Sequence, residues 1–177
     1  MWNTLSRMLH TGLLTEPLPK GSEARSALEG PSTGATQQNL LAILGRALCI
    51  RHVDAGSCNG CELEIQAMGN PYYNLEGAGI KFVASPRHAD LLLVTGPVSV
   101  NMEEALRRTY EAMPEPKLVI ALGDCGACGG AFGSSYASRG GVANAIPVHK
   151  IVTGCPPSPS EILLGILDLI RSTADKI

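Results

Sequence analysis

The chain is short of charge. Asp, Glu, Lys and Arg together make up 17% of its 177 residues, and they almost cancel, leaving a net charge of −2. A free monomer ordinarily shows more polar surface than this, so the shortage points to faces covered by partner subunits. A basic stripe is also missing, which argues against nucleic acid as a partner. No run of about 18 apolar residues occurs, so no segment reads as a membrane span. Met1 to Leu14 lacks the basic opening, continuous apolar core and small-residue cleavage site of a secretory leader. Six cysteines are too few for a disulfide scaffold of this length. Clustered thiols in an intracellular chain point to metal or redox chemistry before disulfides. What the chain does have is an ordinary 45% of hydrophobic residues, enough for one domain with a true core plus a tail.

Taken in order, Trp2, Leu5, Met8, Leu9 and Leu13 recur at helical spacing, so residues 2–13 read as an amphipathic helix lying on a partner or a membrane surface. Thr15 to Gln38 is rich in Pro, Gly, Ser and Thr without a period and reads as a linker, which makes 1–38 an N-terminal arm. The folded domain is expected over 39–177, opening with a short helix through Leu40, Leu41 and Leu44. Strands are expected at Leu48–Val53, Ile80–Val83, Leu91–Val94, Lys117–Leu122 and Lys150–Val152. Between them, helices are expected at Glu62–Met68, stopped by Pro71, at Met102–Met113, capped by Asn101, and at Glu161–Ile170, capped by Ser158 or Ser160. Strands without polar alternation, separated by helices, predict an α/β fold: a doubly wound, flavodoxin-like parallel sheet. In such sheets functional groups sit in loops beyond the carboxyl ends of the strands.

Three cysteine loops fall at such ends: Ser57-Cys58-Asn59-Gly60-Cys61-Glu62-Leu63-Glu64, then Gly123-Asp124-Cys125-Gly126-Ala127-Cys128-Gly129-Gly130, then Gly154-Cys155-Pro156-Pro157. The spacing C-x2-C-x63-C-x29-C supplies four thiolates, the ligand set of a [4Fe–4S] cluster. The same thiols could form a tetrahedral zinc site, most specifically from Cys58, Cys61, Cys125 and Cys128. Paired C-x2-C motifs in zinc folds usually lie about 15–20 residues apart. The gap here is 63, and zinc leaves the Gly-Cys-Pro-Pro loop unused. Glycine beside nearly every cysteine favours a bulky inorganic cluster, which needs close backbone approach. Cys49, inside the first strand, reads as a small core residue.

These motifs, in this order from about Leu40 onward, resemble the small subunit of [NiFe] hydrogenases and the related 20 kDa subunit of respiratory complex I. The C-x2-C spacing is similar to the hydrogenase side, since the complex I subunit usually has adjacent cysteines. The expected lack of a second cluster-bearing domain resembles the membrane-bound, energy-converting, formate hydrogenlyase type. Ser85-Pro86-Arg87-His88-Ala89-Asp90 resembles the complex I subunit. The resemblance implies one [4Fe–4S] cluster on Cys58, Cys61, Cys125 and Cys155, with Cys128 at a variable position. It implies electron transfer between a ferredoxin-like iron–sulfur subunit and a hydrogenase-like large subunit whose Ni–Fe centre interconverts protons and H₂. Membrane subunits would complete the complex, with this chain peripheral on the cytoplasmic side. The alternatives are a complex I-type subunit passing electrons to quinone and a structural zinc scaffold.

Glu64 is a candidate proton relay, because an acidic residue near this position faces the large subunit in the related proteins. Glu62 reads instead as an acid suited to a helix's first turn. Arg87 is a candidate cation near the cluster. His52, Asp54 and His88 read as surface positions, and Asp124 as a residue that ties the turn presenting Cys125.

Overall fold

The computed structural model describes residues 45–174. The expected 2–13 helix, the 1–38 arm and the helix opening the domain at Asn39 lie outside them. The described chain forms five strands: β1 (Leu48–Asp54), β2 (Ile80–Phe82), β3 (Leu91–Thr95), β4 (Leu118–Leu122) and β5 (Lys150–Val152). Four helices accompany them: α1 (Gly60–Ala67), α2 (Val100–Glu111), α3 (Gly123–Cys128) and α4 (Pro159–Ala174). All strand pairs are parallel, in the order β2-β1-β3-β4-β5. That is the flavodoxin-like doubly wound order, with the strand order reversing beside β1.

β3 and β4 are buried at every residue, as an apolar run covered on both faces should be. One face, with Leu48, Ile50, Leu93 and Ile120, packs against Ile65 and Met68 around α1 and Ile162, Ile166 and Ile170 of α4. The other, with Val53, Leu92, Val94 and Val119, packs against Leu106 of α2, Met113 and Val142. Helices on both faces force each connection to end and begin at opposite edges, so β1, β4 and β5 all deliver their following loops to one edge.

Three local expectations need correction. The cap of α2 is Ser99, whose Oγ accepts from Met102 N–H at 3.3 Å, and Asn101 lies inside the helix. α1 begins at Gly60, so Cys61 is within it, and it ends at Ala67 with Met68 as its cap, ahead of Pro71. The second cysteine loop is helical over Gly123–Cys128. At α4, Ser158 forms a capping box: its Oγ accepts from Glu161 N–H at 3.4 Å, while Glu161 Oε2 accepts from Ser158 N–H at 2.7 Å. The Ser158 backbone bond, then its hydroxyl, holds the Glu161 carboxyl below its ordinary range.

Candidate metal centre

Each cysteine loop is shaped by local chemistry. After β1, Asp54 Oδ1 accepts from Gly56 N–H at 2.8 Å and Ser57 N–H at 2.7 Å, turning the chain sharply. Burial acts to raise the Asp54 carboxyl, but these two backbone bonds outweigh it and keep it low. Asn59 then enters α1 in the left-handed conformation, φ 71°, which Asn tolerates better than most residues. Cys58 thus stands before the helix and Cys61 in its first turn.

Cys125 stands in α3, directly after β4, and Cys155 follows β5. Asp124 joins these two loops: its Oδ1 accepts from Gly154 N–H and its own N–H donates to Gly154 O, both at 2.9 Å. Asp124 therefore ties the Cys125 loop to the Cys155 loop, a longer-range role than holding its own turn. The Cys155–Pro156 peptide bond is cis.

The thiols converge. Burial, then Glu62, Cys125, Cys58 and Cys155, push the Cys61 thiol up to about 12. Burial, then Cys155 and Cys58, raise Cys125 as well. The loops themselves are close: a Cβ on Gly123 would lie 2.8 Å from Cys61 Sγ and 3.3 Å from Gly154 O, and one on Gly60 would lie 3.5 Å from Cys58 Sγ and 3.9 Å from Pro156. Cys58 and Cys155 are exposed, while Cys61 and Cys125 are half-buried.

The backbone around them is cut away. A Cβ on Gly123, at φ +78°, would lie 2.8 Å from Cys61 Sγ, and one on Gly130, at φ +54°, would lie 2.7 Å from Cys125 Sγ. Only glycine serves at these two places, and both open space against a cysteine sulfur. Among the described residues, no three His, Cys, Asp or Glu side chains are arranged to hold a single metal ion. A mononuclear zinc would need its sulfurs about 3.8 Å apart, given Zn–S bonds of about 2.3 Å. Four thiols on three loops, with glycine-cleared space against two of the sulfurs, fit a polynuclear cluster. Cys128 is exposed, with its Sγ donating to Asp124 O at 3.3 Å.

This chain's similarity to known proteins bears on the arrangement. The model of the family "NADH ubiquinone oxidoreductase, 20 Kd subunit" matches residues 58–169, from the first of these cysteines to beyond the last. The chain belongs to that family. Among its relatives, the probable membrane-bound hydrogenase subunit mbhJ of Pyrococcus furiosus is 44% identical over 138 residues, 78% of this chain and 83% of that protein. Formate hydrogenlyase subunit 7 of Escherichia coli is 42% identical over 82% of this chain and 57% of its own length. An NADH-quinone oxidoreductase subunit of Desulfovibrio desulfuricans is 39% identical over 91% of this chain and 86% of its own. A chain of the membrane-bound sulfane sulfur reductase, an archaeal respiratory membrane complex, superposes with a TM-score of 0.65 at 31% identity, over 79% of this chain and 76% of that one. Family and relatives alike are subunits of oxidoreductase complexes. No helix among the described residues is long and apolar enough to cross a membrane.

The remaining candidates are dispersed. Glu64 is half-buried on α1. Arg87 is exposed, in a 3₁₀ turn between Val83 and Asp90, whose N–H groups donate to Ile50 O and Cys49 O in the first half of β1. Its backbone thus lies toward the opposite end of the sheet from the cysteine loops. Glu62, expected to serve the helix dipole, is only 9% exposed, and neither carboxylate oxygen has a hydrogen-bond partner. His52, expected on the surface, is half-buried: its Nε2 lies 2.9 Å from Thr95 Oγ1 and 3.7 Å from Glu62 Oε1. Burial, only partly offset by Glu62 and Asp54, lowers the His52 pKa. The sequence signal for this pair was the β1 alternation, which turns His52 to the face that α1 covers.

Proposed function

We propose that Cys58, Cys61, Cys125 and Cys155 hold one [4Fe–4S] cluster, and that the chain passes single electrons between a ferredoxin-like subunit and a hydrogenase-like large subunit. That large subunit would carry the Ni–Fe centre that interconverts protons and H₂. The complex would sit on the cytoplasmic side of the membrane, with this chain peripheral. What supports the reading is that three cysteine loops meet at one edge of the sheet, with glycine-cleared space against the sulfurs of Cys61 and Cys125.

A bound cluster supplies one-electron transfer at a potential that the protein tunes. The residues' own part is to hold and to tune. Asp124 fixes the distance between the Cys125 and Cys155 loops. Gly123 and Gly130 admit bulk beside the sulfurs that a side chain would exclude. Glu62 places a carboxylate against the Cys61 turn, where negative charge disfavours electron uptake. Glu64, one turn along α1 from Cys61, would relay protons toward the large subunit. Leu63, 56% exposed between the two glutamates, and Phe132 and Tyr136, 65% and 99% exposed after α3, would be covered by that subunit.

A second reading keeps the cluster but delivers electrons to quinone. It is favoured by the relation to an NADH-quinone oxidoreductase subunit over nearly the whole chain, and opposed by the C-x2-C spacing. The test is the iron, nickel and zinc content of the complex purified anaerobically with this chain. Iron with nickel supports the hydrogenase reading, iron without nickel shifts it to quinone, and zinc without iron overturns both. Cys155→Ser should remove the iron signal, whereas a zinc site on Cys58, Cys61, Cys125 and Cys128 would survive it.

A further inference from the structure

The sheet has a step in its edge. β2 pairs with β1 only from Leu48↔Ile80 to Ile50↔Phe82, and Val83 N–H closes that ladder on Ile50 O at 2.8 Å. β1 runs on to Asp54 with β3 as its one neighbour among the described residues. Backbone groups alternate sides along a strand, so those of His52 face outward at the step as those of Ile50 do, and β2 has ended. Such an open edge is a template for another extended segment.

The step opens on a cavity of about 540 Å³ whose lining includes Arg51, Gln66, Asn74, Glu76, Lys81 and Phe82, with Arg51 and Lys81 on the opposite strand face from His52 and Phe82. Arg51 is half-buried, and its Nε is shielded from solvent without a hydrogen-bond partner among the described residues. Neither Arg51 nor Lys81 forms an ion pair among the described residues. Against these two cations the lining offers one carboxylate, that of exposed Glu76. A shielded Nε–H without an acceptor is costly until one reaches it, and a carboxylate matches the guanidinium fork.

We propose that this notch receives an extended segment of a partner subunit, which lies beside β1 as an added strand and sets an Asp or Glu carboxylate on Arg51. A small free anion would satisfy the arginine but leave the strand edge open. The inference rests on the chain's being one subunit of a larger complex, and not on what the cysteines hold.

The test uses the intact complex, with Lys81→p-benzoylphenylalanine placing a photocrosslinker on the exposed rim of the notch. The expected product joins position 81 to a stretch of a partner subunit that contains Asp or Glu. A product within residues 1–44 of this chain, or none, overturns the proposal. In parallel, Arg51→Glu should lower partner recovery about tenfold or more, with Arg51→Lys retaining most of it. Iron per chain should stay unchanged in both, which separates this test from that of the cluster. Undiminished recovery with Arg51→Glu overturns the proposal, and the cross-link decides if that variant fails to accumulate.

Discussion

In the first turn of α1, a carboxylate without a hydrogen bond sits 3.7 Å from an imidazole that is itself half-buried. Glu62 and His52 come ten residues apart in the chain, and the β1 alternation fixes the face of His52 but not which α1 residue it meets. Their meeting depends on which way α1 rolls over β1. Because burial lowers the His52 pKa from 6.5, the folded chain binds a proton there less readily than the unfolded chain does. Stability is therefore full above pH 6.5 and falls as acid protonates the unfolded state first, levelling only below the depressed folded value. Unfolding midpoints of His52→Gln followed against pH should lose that acid-side slope. Glu62→Gln removes a negative charge beside Cys61, and a redox titration of the iron signal should show an upward shift. At Gly123, alanine would meet Cys61 Sγ and strain a φ of +78°, so Gly123→Ala should cut iron content while Cys128→Ser leaves it intact.

The elements were largely legible as hydrophobic runs. All five strands were recognisable because β3 and β4 are unbroken apolar segments and β1, β2 and β5 follow turn residues. The cap of α2 was not, since Ser99 and Asn101 are equally good capping residues and only the backbone distinguishes them. α3 was hidden for a different reason: Gly-Asp-Cys-Gly-Ala-Cys has no apolar period and low helix propensity, and the helix persists because its ends meet Gly154 and Gly133. The three cysteine loops could be placed at strand ends from the sequence, and the choice of Cys155 over Cys128 came from the family resemblance, whereas the Asp124 link to Gly154 joins residues 30 apart and needed the sheet order. Two element-scale outcomes follow. Ser158→Ala should destabilise the chain by about 1 kcal/mol in denaturant unfolding, through loss of the α4 cap. Gly165→Ala should also destabilise, by about 1–2 kcal/mol, although alanine favours helix. Its Cβ would lie 2.4 Å from Val152 Cγ2, and a valine on a strand has little freedom to yield.

Across the whole molecule, low charge and exposed apolar side chains belong together. Leu63→Ser and Tyr136→Ser remove apolar surface that is exposed among the described residues. Each should leave thermal stability within about 0.5 kcal/mol of the parent, yet weaken retention of the large subunit in a pull-down. The order β2-β1-β3-β4-β5 carries one more consequence. The thiols are contributed by the ends of β1, β4 and β5, so their separations of 63 and 29 residues are bridged only when the sheet has been laid down out to its β5 edge. A chain whose β5 has yet to dock presents Cys58, Cys61 and Cys125 but withholds Cys155. The cysteine set thus reports that folding is finished. On the proposed ligand set, whatever delivers iron and sulfide need not inspect the sheet from β1 to β5, because a molecule with β5 undocked presents three of the four thiols.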